Sequence, residues 1–227
     1  MPTQLKALLL DLDDTLLENN MEQFLPHYFQ RLSAWVRAVM PPKAFIAHLM
    51  QATQAMLDND GRETNEEVFA AAFYPLAGRP REEMEPIFAQ FYAQEFPKLR
   101  AHTRRRPEAR TVVQTALDRG YDLVVATNPL FPATAIWQRL EWAGVADFPY
   151  RLVTTYENSR ACKPNPLYFQ QICATLGRPA EACLMIGDRW TWPPPISVVP
   201  PFSSATMVRS CQTISPRHPI EGRWPMS

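Results

Sequence analysis

The sequence predicts an α/β protein: a doubly wound parallel sheet interrupted, after its first strand, by an all-helical insertion. Three observations carry this. Leu5 to Leu10 is a short, almost continuous apolar run, the pattern of a strand buried on both faces. Residues from about 19 to 98 then show helical periodicity with no strand pattern between the helices. After Pro107 the patterns of helix and strand alternate, as they do when parallel strands are joined by crossover helices.

The elements follow in order. From Met21 to Met40, the residues Phe24, Leu25, Tyr28, Leu32, Trp35, Val36 and Val39 fall on one helical stripe, and Pro41-Pro42 ends it. A second helix runs through Phe45, Ile46, Leu49 and Met56 until Asn59-Asp60-Gly61. Thr64 and Glu67 have capping-box spacing ahead of Val68, Phe69, Ala72 and Phe73. A fourth helix carries Met84, Ile87, Phe88, Phe91 and Tyr92. Then come a helix over Glu108–Arg119 closed by Gly120, and a strand over Tyr121–Ala126. A helix over Ala133–Trp142 ends at Gly144, and Arg151–Thr155 is a strand candidate. A helix over Pro166–Leu176 is closed by Gly177, and Ala182–Ile186 reads as a further buried strand. The domain organisation expected from this is a core of residues 1–17 and 100–190, a helical unit of residues 18–99 and a distinct tail of residues 191–227.

Bulk composition narrows the class. The 227 residues carry 23 basic and 23 acidic side chains, so neither a nucleic acid nor a membrane surface is an expected partner. No signal-peptide pattern opens the chain, and no stretch approaches the ~20 apolar residues of a membrane span. A cytoplasmic protein is expected. Cys162, Cys173, Cys183 and Cys211 form no C-x-x-C pair and read as reduced thiols. His27, His48, His102 and His218 lack ligand spacing; Trp35, Trp137 and Trp142 read as packing residues, and Arg104-Arg105-Arg106 as a solvated hinge.

In open parallel sheets, ligands bind beyond the carboxyl ends of the strands. Asp11 and Asp13 follow the first expected strand, Thr127 and Asn128 the second, Lys163 lies in the loop after the third, and Gly187-Asp188 follows the fourth. Gathered round one crevice, these groups have a chemical logic. A carboxylate can attack phosphorus. Clustered carboxylates call for a cation, and Mg²⁺ takes oxygen ligands of this kind. A second carboxyl can move a proton to the leaving oxygen. A hydroxyl and an ammonium can hold the phosphoryl oxygens. Asp14 reads as a turn residue.

These segments resemble the motifs of the haloacid dehalogenase (HAD) superfamily. Leu9-Leu10-Asp11-Leu12-Asp13-Asp14-Thr15-Leu16 is similar to its first motif, hhhDxDxT. Thr127 matches the second, Lys163 in Lys163-Pro164-Asn165-Pro166 the third, and Gly187-Asp188 the start of the fourth. The resemblance implies a Rossmann-like HAD core with a helical cap domain inserted after the first motif. It implies Asp11 as a nucleophile forming an aspartyl-phosphate and Asp13 as general acid and base. Mg²⁺ would be held by Asp11, the Asp13 main-chain carbonyl and Asp188. Thr127 and Lys163 would bind the phosphoryl group, with Asn128 lining the same site. Dehalogenases of the superfamily usually lack the second aspartate, so Asp13 favours a phosphatase acting on a small phosphorylated metabolite. A phosphomutase shares the same motifs.

The tail departs from the family pattern. The fourth motif calls for a second acid four or five residues after Asp188, where this chain has Trp192 and Pro193. Pro193-Pro194-Pro195 and Pro200-Pro201 replace the expected helix and strand, and prolines in series cannot form a helix interior. The chain holds 23 prolines and 7 glycines, with the proline excess concentrated after Trp190. A two-base frame shift across residues 190–203 forces Asp at Trp190/Thr191 and Ala at Trp192/Pro193, and permits a helix, turn and strand beyond. That Asp falls too close to Asp188, so a few bases would be missing as well. A frameshifted C-terminus would leave a catalytically impaired or inactive remnant. A genuine divergent proline-rich tail is the alternative.

Overall fold

The structure, a computed structural model, describes residues 4–187. Asp188, Cys211, His218 and the tail of residues 191–227 lie outside the described residues. The sheet is built from β1 (Ala7–Leu10), β4 (Asp122–Val125), β5 (Leu152–Val153) and β6 (Cys183–Ile186). Its order is β5-β4-β1-β6 and every pairing is parallel. Two further short strands, β2 (Leu17–Glu18) and β3 (Arg104–Arg105), pair antiparallel beside it.

Side-chain alternation gives the sheet its two apolar faces. Leu8, Leu10, Leu123, Val125 and Val153 enter one buried cluster; Ala7, Leu9, Val124, Ala126 and Cys183 enter another. Helices α5 (Pro107–Asp118) and α6 (Ala133–Ala143) supply Val113, Ile136 and Leu140 to the first face. Helix α7 (Pro166–Leu176) covers the second with Tyr168, Phe169 and Ile172. The fold is therefore the parallel, helix-flanked sheet that the sequence predicts. Among the described residues β6 is a sheet edge, and its Leu184, Met185 and Ile186 are only half-buried.

Between β2 and β3 lie α1 (Met21–Val36), α2 (Pro42–Leu57), α3 (Asn65–Ala77), α4 (Arg81–Gln94) and a 3-10 segment, Phe96–His102. Asn20 caps α1 by accepting from the Gln23 amide, and Thr64 caps α3 by accepting from the Glu67 amide. An aromatic cluster fastens these helices to the sheet's first face. Tyr28 meets Phe131 at 5.3 Å between ring centroids, and Phe96 stacks on Trp142 at 5.4 Å.

Several local expectations change. Helix α1 stops at Val36, because Val39 and Met40 both donate to the Val36 carbonyl in a closing turn before the prolines. The strand expected over Arg151–Thr155 shortens to Leu152–Val153: the Thr154 hydroxyl turns back onto the Val125 and Thr127 carbonyls. Trp137 is 40% exposed rather than packed. Arg104 and Arg105 are exposed, as expected of a solvated hinge, but they form β3; Arg106 donates to the Asp14 carbonyl at 3.0 Å. Among the described residues no helix is long and apolar enough to cross a membrane.

Candidate active site

The site begins where β1 runs out of neighbours. Leu10 pairs with Val125 on one side and Ile186 on the other. The next amide, that of Asp11, donates to the Ile186 carbonyl at 2.9 Å, and the Ala126 amide donates to the Leu10 carbonyl at 2.7 Å. Asp11 thus stands at the carboxyl edge of the sheet, between two strands. Its Oδ1 accepts from the Leu12 amide at 2.9 Å and from Lys163 Nζ at 3.0 Å. Both residues are 7% exposed, so each needs the other: a buried charge is tolerated only when paired and hydrogen-bonded.

After Asp11 the chain coils tightly. The Leu12 carbonyl accepts from the amides of Thr15, Leu16 and Leu17. Asp14 sits at φ 52°, in the left-handed region, and its Oδ1 takes the Asn19 amide at 3.1 Å, the turn role expected of it. The coil holds the Asp13 carboxylate between two donors. Asn19 Nδ2 donates to Oδ1 at 2.6 Å and Arg139 Nη1 to Oδ2 at 2.7 Å.

The remaining residues come from neighbouring strand ends. Thr127 is buried just beyond β4, and its carbonyl accepts from the hydroxyls of Thr154 and Tyr168, both at 2.8 Å. Asn128 Oδ1 accepts the Lys163 amide at 3.1 Å, which ties the loop after β4 to the loop carrying the lysine. Asp11, Asp13, Thr127, Asn128 and Lys163 therefore share one sheet edge, while Asp188 lies outside the described residues.

Hard oxygen donors of this kind suit Mg²⁺, which keeps several waters and needs only one or two carboxylates from the protein. Among the described residues no group of three or more His, Cys, Asp or Glu side chains converges on a metal position. Among the described residues the candidate donors are the Asp11 carboxylate and the Asp13 main-chain carbonyl, since the Asp13 side chain is held by Asn19 and Arg139. That set is compatible with the ion without completing its shell.

The helices press on the same loops. Asn65, at the start of α3, is fully buried. Its Nδ2 donates to the Pro129 carbonyl at 3.1 Å and lies 3.4 Å from Cys162 Sγ, while its Oδ1 accepts from Asn59 Nδ2 at 2.8 Å. The amides of Asn65 and Glu66 donate to the Ser159 and Tyr156 carbonyls. Burial pushes the Cys162 thiol up to about 12, so it is an inert neighbour of Lys163 rather than a nucleophile.

Asn19, Asn65 and Arg139 are the residues that pattern reading missed. Arg139 had a visible signal. It sits in the stripe Ala135, Ile136, Arg139, Leu140, Ala143, where helical spacing calls for an apolar side chain. Asn19 and Asn65 had none, because an asparagine beside a helix start reads as a cap.

The model of the haloacid dehalogenase-like hydrolase family matches residues 5–192. The chain belongs to that family. As a HAD-like hydrolase it is an enzyme by descent, and the match takes in every strand of the sheet. Solved structures resemble it more distantly. A predicted phosphoglycolate phosphatase from Haemophilus somnus is 19% identical, with 82% of this chain and 78% of that chain covered and a TM-score of 0.47. A HAD phosphatase from Thermococcus onnurineus is 19% identical, with 82% and 79% covered and a TM-score of 0.48. An L-2-haloacid dehalogenase is 14% identical, with 83% and 81% covered and a TM-score of 0.45. No curated protein is similar enough to match the chain.

Proposed function

We propose that this HAD-like hydrolase is a Mg²⁺-dependent phosphatase that acts on a small phosphorylated metabolite through an aspartyl-phosphate at Asp11. The observation that carries the reading is the buried pair of Asp11 and Lys163 at the sheet edge, with a second, separately held carboxylate two residues on.

In the first step an Asp11 carboxylate oxygen attacks phosphorus and the bond to the ester oxygen breaks, with the Asp13 carboxyl giving its proton to the leaving alkoxide. In the second step the Asp13 carboxylate takes a proton from water while that water's oxygen attacks phosphorus. The bond to Asp11 breaks, inorganic phosphate leaves, and both aspartates are restored. Lys163 neutralises charge that develops on the phosphoryl oxygens, and Thr127 and Asn128 line the same face. Mg²⁺, when bound by Asp11, the Asp13 carbonyl and Asp188, would supply further charge neutralisation. Displacement of a halide needs no proton donor, whereas an alkoxide does. The presence of Asp13 therefore supports ester hydrolysis over dehalogenation. The helices of residues 18–99 act as a cap whose closure excludes water until the phosphoenzyme is ready.

Hydrolysis of p-nitrophenyl phosphate by the purified full chain tests this, with Mg²⁺ or EDTA and with Asp11→Asn and Lys163→Met. The expected outcome is turnover that needs both Mg²⁺ and Asp11, and that falls ~10²–10³-fold without the lysine charge. Folded protein with no turnover would reject the phosphatase in favour of an inactive remnant. Turnover only with a sugar bisphosphate present would reject it in favour of a phosphomutase.

A further inference from the structure

We infer that Arg139 is a positioning residue for the reaction: it fixes the Asp13 carboxylate in one orientation from behind, and this inference rests on the phosphatase reading above. The guanidinium is wholly enclosed, with 0% residue exposure. It lies 4.6 Å from the Phe131 ring centroid. Its Nη1 donates to Asp13 Oδ2 at 2.7 Å, while Nε and Nη2 find no hydrogen-bond partner among the described residues. A buried charge with unmet donors is costly, and an apolar side chain would serve the stripe of α6 better. Its contact with the Phe131 ring alone therefore does not account for a charge at this position. Among the described residues its one anion is Asp13, the carboxylate that must move the proton.

The two side chains differ in exposure: that of Asp13 keeps 17%, whereas that of Arg139 keeps 1%. Arg139 is thus enclosed from solvent, and its observed charged contact is Asp13. Asn19 Nδ2 holds the other oxygen at 2.6 Å. Two donors on the two oxygens remove the rotation of the carboxylate about its own axis. A carboxylate fixed in this way meets both the leaving oxygen and the attacking water at one place, and misplacement by an ångström can cost ~10²-fold.

The test compares Arg139→Met, Arg139→Lys, Asp13→Asn and the Asp13→Asn, Arg139→Met double variant in the full chain, for kcat and KM on an aryl and an alkyl phosphate, with thermal melting alongside. Arg139→Met is expected to lower kcat ~10²-fold with KM within about threefold. The loss should be larger on the alkyl ester, whose leaving oxygen needs the proton more. Lysine, which keeps the charge but not the fork, should restore part of it. In the Asp13→Asn background, removing Arg139 should cost nothing further, because the two act as one unit. Arg139→Met with kcat unchanged, or an equal loss in both backgrounds, would overturn the proposal. If Arg139→Met fails to fold, Arg139→Lys alone and in the Asp13→Asn background decides it: a partial loss of kcat in the otherwise wild-type chain with no further loss beside Asp13→Asn supports positioning, and full activity, or an equal loss in both backgrounds, rejects it. A wild-type chain with no esterase activity at all would instead reject the phosphatase reading beneath it.

Discussion

Two ion pairs, one buried and one partly buried, flank the candidate site, and they differ in what their loss would do. Asp11 and Lys163 are both 7% exposed and neutralise each other, so removing either charge leaves its partner enclosed. Asp13 and Arg139 are unequal: the acid is partly open and the base is enclosed, lying over the Phe131 ring. Truncating the acid should therefore be worse for the fold than truncating the base. Asp13→Ala is expected to lose ~3–5 kcal/mol of unfolding free energy by denaturant titration, because an unpaired guanidinium stays buried. Adding Arg139→Met to that variant should recover a large part of the loss. A stable Asp13→Ala protein would mean that Arg139 finds another anion or water. At this scale the sequence was informative about Asp11, Asp13, Thr127, Asn128 and Lys163 because their strand-end positions are local facts. It was silent about which donors hold Asp13, because Asn19 and Arg139 approach it through tertiary packing.

At the scale of elements, the long periodic segments were legible and the short ones were not. Helix α7 spans Pro166–Leu176 as the sequence predicts, since proline opens it and Gly177 closes it at φ 62°. The β2–β3 ribbon was not legible: two strands of two residues, one of them Arg104–Arg105, carry no alternation to read. Nor does local sequence reveal how α3 docks. Its first residue, Asn65, bridges the loop after β4, the Cys162 thiol and Asn59. Asn65→Ala should take from the Pro129 carbonyl its Asn65 donor and leave Asn59 Nδ2 with the Glu63 carbonyl alone, at a cost of ~1–3 kcal/mol. Amide hydrogen exchange should then speed up at residues 59–67 and in the loops after β4 and β5, with the distant end of α4 unchanged. Uniformly faster exchange across the whole chain would show that Asn65 supports global stability rather than this junction.

Over the whole molecule, the family match stops at residue 192. That is close to where the sequence turns proline-rich. Among the described residues β6 is the sheet's edge and only half-buried, whereas β1 is fully buried and paired on both sides, by β4 and β6. Asp11 follows β1 directly, and the proposed reaction requires its carboxylate to become phosphorylated. The most direct test is acid quenching of the enzyme during turnover of an aryl phosphate with Mg²⁺, followed by peptide mass mapping. The expected result is a phosphoryl group on the peptide that contains Asp11, absent from Asp11→Asn and absent with EDTA. Steady Mg²⁺-dependent turnover with the phosphoryl group on a different residue, or with an active Asp11→Asn variant, would contradict it.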